Sequence, residues 1–213
     1  MDVQLRDGWI EVICGSMYAG KTEELLRRIR RIEYAKKTIL VFKPKIDNRY
    51  SEDEVVSHNN VRAKSISIKS GKEMLEHIPS ELPYAVAIDE VQFFDDKVVE
   101  KAHELAERGL RVIVGGLDTD FRGVPFDNVA LLLARAEKVT KLTAICVCCG
   151  EEATKTQRII NGMPAKFDDP IILVGEKQAK PIMEGLLEEK YNKENIYVAK
   201  DITEAINKMS EIM

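Results

Sequence analysis

Apolar residues along this chain come in short blocks separated by amphipathic stretches. Residues 8–15, GWIEVICG, read as a short strand bounded by glycines, with Trp9, Ile10, Val12 and Ile13 as its apolar body. Over 23–37 the spacing becomes helical. Leu25, Leu26, Ile29 and Ile32 share one face, and Arg27, Arg28, Arg30 and Arg31 are expected to face outward. Glu23 and Arg27, and Glu24 and Arg28, are spaced to pair across one turn. TILVFKP at 38–44 is almost continuously apolar, as strands buried in parallel sheets are. The stretch 45–62 is polar and loop-like. Further strands are predicted at 63–69, 84–90, 111–118 and 141–147, with helices at 71–78 and 96–108. Phe93 and Phe94, directly after a strand, are expected in the core. Strands alternating with helices predict an α/β fold, a mainly parallel sheet flanked by helices.

The last third changes character. Residues 150–175 are rich in turn formers and lack a helical period. A helical pattern follows at 182–190, then a strand at 195–200 and a final helix. Asp201 or Thr203 would cap that helix, with Ile202, Ile206, Met209 and Ile212 on its buried face. The composition shift suggests three parts: a main domain over 1–140, a small cysteine-containing domain over 141–175, and an extension over 176–213.

Composition narrows the function classes. With 213 residues, 45% hydrophobic and 32% charged, the chain can bury a core and is not expected to be disordered. A net charge of −4 argues against a general nucleic-acid partner and leaves a small phosphorylated ligand open. The arginine cluster at 27–31 reads first as a solvated helix face and second as a polyanion site. No apolar run reaches membrane-spanning length and none resembles a secretory leader, so a cytoplasmic protein without a membrane partner is expected. Cys14 lies in an apolar run, whereas Cys146, Cys148 and Cys149 bunch in ICVCCG. In a cytosolic chain that spacing suggests metal or redox chemistry more than a disulfide framework.

The sharpest local signal is Gly15-x-x-x-x-Gly20-Lys21-Thr22, with Ser16, Met17, Tyr18 and Ala19 between the glycines. It stands between a predicted strand and a predicted helix, the context in which backbone N–H groups turn inward around a phosphate. In that arrangement Lys21 faces the outer phosphates and the Thr22 hydroxyl is offered to Mg²⁺. The strand AVAIDE ends in Asp89, at the edge where ligands bind in open parallel sheets. Asp89 is therefore a candidate for the Mg²⁺ shell, and its neighbour Glu90 is free for other work.

Together the segments GSMYAGKTEELLRRIRR, KPKIDNRY, VSH, DEVQFF, GGLDTDFRG, KLTAIC and TQRIINGMPAKFDDPIILVG resemble the cytosolic, zinc-containing thymidine kinases over residues 8–175. The resemblance implies transfer of the ATP γ-phosphate to the 5′-hydroxyl of thymidine by a homotetramer, with deoxyuridine also conceivable. It implies that 15–22 cradles the ATP phosphates and that Glu90 is the general base. Asp89 is then the magnesium-associated acid, and Gln92 belongs to the same nucleotide-contact segment. Arg49 and His58 match positions near the phosphates. Leu117 and Phe121 match the walls of the thymine pocket. Residues 154–175, with Ile171, Ile172 and Val174, match the loop called the lasso, whose backbone reads the base.

The chain departs from that family after Gly175. The family's zinc site has a second ligand pair beyond the lasso, and here no cysteine or histidine follows. Cys146 and Cys149 form an incomplete zinc site, metal-free, completed by carboxylates, or completed from another chain. Two other functions are compatible with the residues. One is a nucleotide-binding regulatory protein with a degenerate nucleoside site. The other is an ATPase whose Glu90 activates water.

Overall fold

The computed structural model describes residues 8–45, 54–56, 62–157, 159–160, 163–164, 170–175, 179, 183, 186–187 and 191–212. Arg49 and His58 lie outside the described residues, as does most of the helical pattern at 182–190. Contacts group the chain into two units, Met1–Thr156 and Gln157–Met213.

The first unit is built on β1 (Trp9–Gly15), β2 (Ile39–Pro44), β5 (Ile66–Ile68), β6 (Ala85–Ile88), β7 (Arg111–Leu117) and β8 (Lys138–Leu142). They form one sheet in the order β5-β2-β6-β7-β1-β8, and every neighbouring pair is parallel. A short antiparallel pair, β3 (Glu54–Val56) and β4 (Arg62–Lys64), precedes β5. The helices are α1 (Lys21–Tyr34), α2 (Gly71–Glu76), α3 (Lys97–Glu107) and α4 (Asp127–Arg135).

Alternation along β1 divides the core in two. Ile10, Val12 and Cys14 join Val98, Ala102 and Leu105 of α3 and Val129 and Leu132 of α4. Ile13 joins Leu25, Leu26, Ile29 and Ile32 of α1 with Val41, Ala85, Ala87 and Ile113. The sheet is thus covered on both faces, which is why its central strands carry so few polar residues.

Arg28 corrects the expectation of an outward arginine face. It is 5% exposed and bonds Glu11 at 2.5 Å and Glu24 at 2.8 Å. Arg111 also bonds Glu11, at 2.7 Å. Glu11 occupies the α1 face of β1, so a buried carboxylate there recruits a cation from the helix above it. Arg27, Arg30 and Arg31 are exposed as expected, and Arg27 bonds Glu24.

This cluster makes stability depend on acid. Hydrogen bonding from Arg27 leads the causes that lower the Glu24 carboxyl to about 2; burial opposes, and Arg28 adds to the lowering. Burial pushes the Glu11 carboxyl up, but hydrogen bonds from Arg111 and Trp9 and two guanidinium charges leave it below the ordinary value. Both pKa values are depressed in the folded chain. The stabilisation is therefore full above the unfolded value of 4.5 and is lost as pH falls toward about 2. A Glu24→Gln variant is expected to show a shallower fall of melting temperature across that window than the parent. Parallel curves would mean that Glu24 carries none of the effect.

Three other expectations shift. Phe94 is buried, but Phe93 is 50% exposed, because the 3₁₀ turn at Val91–Phe93 sends successive side chains in different directions. Helix α4 was not anticipated. The strand expected at 141–147 is β8 at Lys138–Leu142, followed by the bridge residues Ala144–Ile145. As an edge strand, β8 tolerates Lys138, Thr140 and Lys141, which conceal it from a search for apolar blocks.

Contacts also group differently from the 1–140, 141–175 and 176–213 division. A hairpin of β9 (Ala144–Ile145) and β10 (Glu152–Ala153) belongs with the first unit. There Ser16 Oγ donates to Ala153 O at 3.2 Å, and Thr156 Oγ1 accepts from Met17 N at 3.0 Å. In the second unit β11 (Ile159–Ile160) pairs antiparallel with β12 (Met163–Pro164). There β13 (Ile171–Val174) pairs in parallel with β14 (Ile196–Ala199), so the end of the lasso-like segment is tied to the terminal region.

The helix Ile202–Ile212 completes this unit. Asp201 rather than Thr203 caps it, its Oδ1 accepting from Glu204 N at 2.9 Å. Among its described side chains Ala205 is buried, as are Leu173 and Ala199 of the small sheet. Ile202 and Ile206, expected on the buried face, are 70% and 57% exposed. A two-stranded sheet is too narrow to cover a full helical stripe. The side chains of Met209 and Ile212 lie outside the described residues.

Candidate active site

The loop after β1 is shaped by backbone that only certain residues tolerate. Gly15 has φ 145°, and a Cβ there would fall 2.2 Å from Leu142 O. Gly20 has φ 82° and opens α1, which no side chain caps. The first-turn N–H groups are therefore directed at the loop, and the helix end attracts an anion. Lys21 Nζ folds back to donate to Ser16 O at 2.7 Å. Burial pulls the Lys21 pKa below its ordinary value, against the raising effect of Glu90, Asp89 and Asp118. Gly15, Ser16, Met17, Tyr18, Ala19, Gly20, Lys21 and Thr22 thus form one continuous turn from strand to helix.

The acids come from β6, two strands away, with β7 between. Asp89 is buried, and its Oδ1 accepts from Glu90 N at 3.0 Å. Glu90 itself adopts φ 47°, ψ 45°, a left-handed conformation that costs a non-glycine residue about 1–3 kcal/mol. Gln92 holds it there. Its Nε2 donates to Glu90 Oε2, and its Oε1 accepts from Leu117 N at 3.0 Å. Such close approach requires the two glycines of β7. A Cβ at Gly115 would lie 3.2 Å from Asp89 Oδ1, and one at Gly116 would lie 2.8 Å from Val91 Cγ1 and 2.9 Å from Gln92 Oε1. From α4, buried Asn128 donates to Val91 O at 2.7 Å and Phe94 O at 3.2 Å, fixing the same turn.

Sequence reading passed over Asn128 and also Asp118. Asp118 follows β7 and is 6% exposed. Lys141 Nζ stands 2.9 Å from its Oδ2; beyond that ion pair, neither oxygen has a hydrogen-bond partner among the described residues. Its charge reaches both Lys21 and Cys14. The signal was the one that identified Asp89: a carboxylate at the carboxyl end of a strand beside the glycine loop.

Leu117 ends β7 on the Gln92 side chain, and Phe121 lies half-buried in the loop that follows. That loop is closed by Asp120, whose Oδ1 accepts from Arg122 N at 2.8 Å and Val124 N at 3.0 Å. The other proposed base-contact residues, Ile171, Ile172 and Val174, are in β13 of the second unit.

Cys146 begins the turn between β9 and β10. Backbone N–H groups of Cys149 and Cys148 hold its thiol below the ordinary pKa, as they would in half of a tetrahedral metal knuckle. The donor set does not fit a closed zinc site. Cys146 and Cys149 provide two ligands where four are needed, and no group of three or more His, Cys, Asp or Glu capable of holding a metal occurs among the described residues.

Residues 8–180 match the sequence model of the family described as thymidine kinase. Among solved structures, a DNA replication initiation factor aligns with 98% of this chain and 56% of its own length, at 14% identity and a TM-score of 0.36. The chain spans little more than half of that protein. No helix among the described residues is long and apolar enough to cross a membrane.

Proposed function

The chain belongs to the thymidine kinase family, and from that we propose that it transfers the γ-phosphate of ATP to the 5′-hydroxyl of thymidine, with deoxyuridine as a second acceptor. The observation that carries this reading is the clamped carboxylate: Glu90, held by Gln92 on a strained turn, with its charge acting on the glycine-loop Lys21.

In this mechanism the loop 15–20 and the N-terminus of α1 receive the phosphates of ATP. The Lys21 ammonium neutralises charge on the outer two. Thr22 and Asp89 would hold Mg²⁺, which, when bound, draws charge from the phosphate oxygens. Magnesium usually takes only one or two protein ligands and completes its shell with substrate phosphates and water, so it requires no cluster of protein donors. Glu90 accepts the proton of the 5′-hydroxyl as that oxygen forms a bond to the γ-phosphorus. The bond from phosphorus to the β-bridging oxygen breaks, and ADP leaves with its electron pair. Leu117 and Phe121 would wall the base. Zinc takes no part. The resemblance implies a homotetramer.

ADP release measured with and without thymidine tests the proposal. Release that depends on thymidine and yields thymidine monophosphate in equal amount is the expected result. Release at the same rate without nucleoside would make this chain an ATPase. No release, with ATP still bound, would favour a nucleotide-binding regulator.

A further inference from the structure

A cavity of about 330 Å³ lies in the first unit and is lined by Arg27, Arg28, Arg31, Arg111 and Lys138. It is not part of the phosphate loop. Arg111 and Lys138 open β7 and β8, whereas the glycine loop follows the far end of β1, the strand between them in the sheet. Ligand cavities of this size are ordinarily lined by apolar groups with a few polar ones; among the described residues, this one is lined by five cations.

A purely structural network would match its charges. Two carboxylates bond these cations: Glu11 holds Arg28 and Arg111, and Glu24 holds Arg27 and Arg28. Glu137, beside Lys138, is taken up by the Ile10 amide at 2.6 Å. Arg31 and Lys138 have no acidic partner among the described residues. Among the described residues, three positive charges are left in surplus around one concavity. Arg28 is fixed by both carboxylates and by Thr140 Oγ1 at 2.8 Å, and Arg111 lies over the Trp9 ring at 5.8 Å. The cavity floor is therefore preorganised, and its rim carries the unmatched charge. Planar guanidinium groups suit phosphate oxygens in particular.

We infer that this cavity is a second anion site, for a compact phosphate-bearing ligand of the diphosphate class. An extended nucleic acid fits it poorly, because the five side chains surround one concavity and form no track, and the chain as a whole is negative.

The test is calorimetric titration of the full chain with pyrophosphate in the absence of Mg²⁺. A Lys21→Ala variant, weakened at the glycine loop, is expected to keep a pyrophosphate site of parental affinity. Adding Arg31→Gln and Lys138→Gln to that variant should weaken the remaining site by about tenfold per charge removed and flatten its salt dependence. Both side chains are exposed, so the fold should persist, which circular dichroism would verify. Arg31→Gln and Lys138→Gln in the parent background should leave ATP affinity unchanged. The inference fails if the Lys21→Ala chain binds no pyrophosphate, or if the triple variant binds it as tightly. Binding of a short single-stranded oligonucleotide in preference to pyrophosphate would also overturn it.

Discussion

Lys21→Ala is expected to abolish measurable phosphoryl transfer while leaving the fold in place. The lysine is the one cation in the strand-loop-helix turn itself, and three carboxylates, Glu90, Asp89 and Asp118, act on it. Without it, an incoming triphosphate meets those acids with only helix amides to offset them. Loss of a single preorganised electrostatic partner costs about 10²–10³-fold in rate, and here ATP binding weakens as well. Stability should change little. In the ligand-free chain the ammonium bonds Ser16 O at 2.7 Å, an interaction worth about 1.5–3 kcal/mol at most. Burial already opposes its charge, so part of that loss is returned. A variant with parental turnover of ATP and thymidine would remove the glycine loop from catalysis. A variant that no longer folds would show that the ammonium is chiefly structural.

The sequence disclosed those features that depend on local spacing. The glycine loop was legible because Gly15 and Gly20 occupy backbone conformations that other residues resist, and Asp89 because a run of buried apolar residues ends on it. What was missed depends on contacts across the sheet. Arg28 looks like its exposed neighbours until β1 brings Glu11 beneath it. Gln92 was placed as a nucleotide contact in the segment of Glu90; that it spans from Glu90 to the Leu117 amide follows only when β6 and β7 lie side by side. Glycines 115 and 116 read as part of a strand, with nothing in the strand pattern to say that their missing side chains admit Asp89 and Gln92. The edge strand β8 was displaced by three residues because an edge strand tolerates polar residues that hide it from a search for apolar blocks. In the terminal helix, periodicity placed Ile202 and Ile206 on the buried face, but both are exposed and Ala205 is buried instead.

Glu90→Gln should separate binding from chemistry. Glutamine is nearly isosteric, and its carbonyl oxygen can still accept from Gln92 Nε2, so the turn at Val91–Phe93 and the bond from Leu117 N to Gln92 should survive. Thymidine and ATP are then expected to bind with affinities close to those of the parent. An amide cannot take up the 5′-hydroxyl proton, however, and removing a general base costs about 10²–10⁴-fold in rate. Single-turnover measurement is the decisive readout, because it isolates the chemical step from product release. Gln92→Ala offers the complementary case. It leaves the carboxylate in place but removes what holds it, so its rate loss should be smaller and accompanied by changed nucleoside affinity through Leu117. If Glu90→Gln turned over within about threefold of the parent, far short of a general-base effect, Glu90 would not be the base. The strained backbone at that position would then serve only to shape the turn, and the proton would have to leave by way of another carboxylate, with Asp118 the first to examine because its oxygens are buried and, among the described residues, bound only by Lys141.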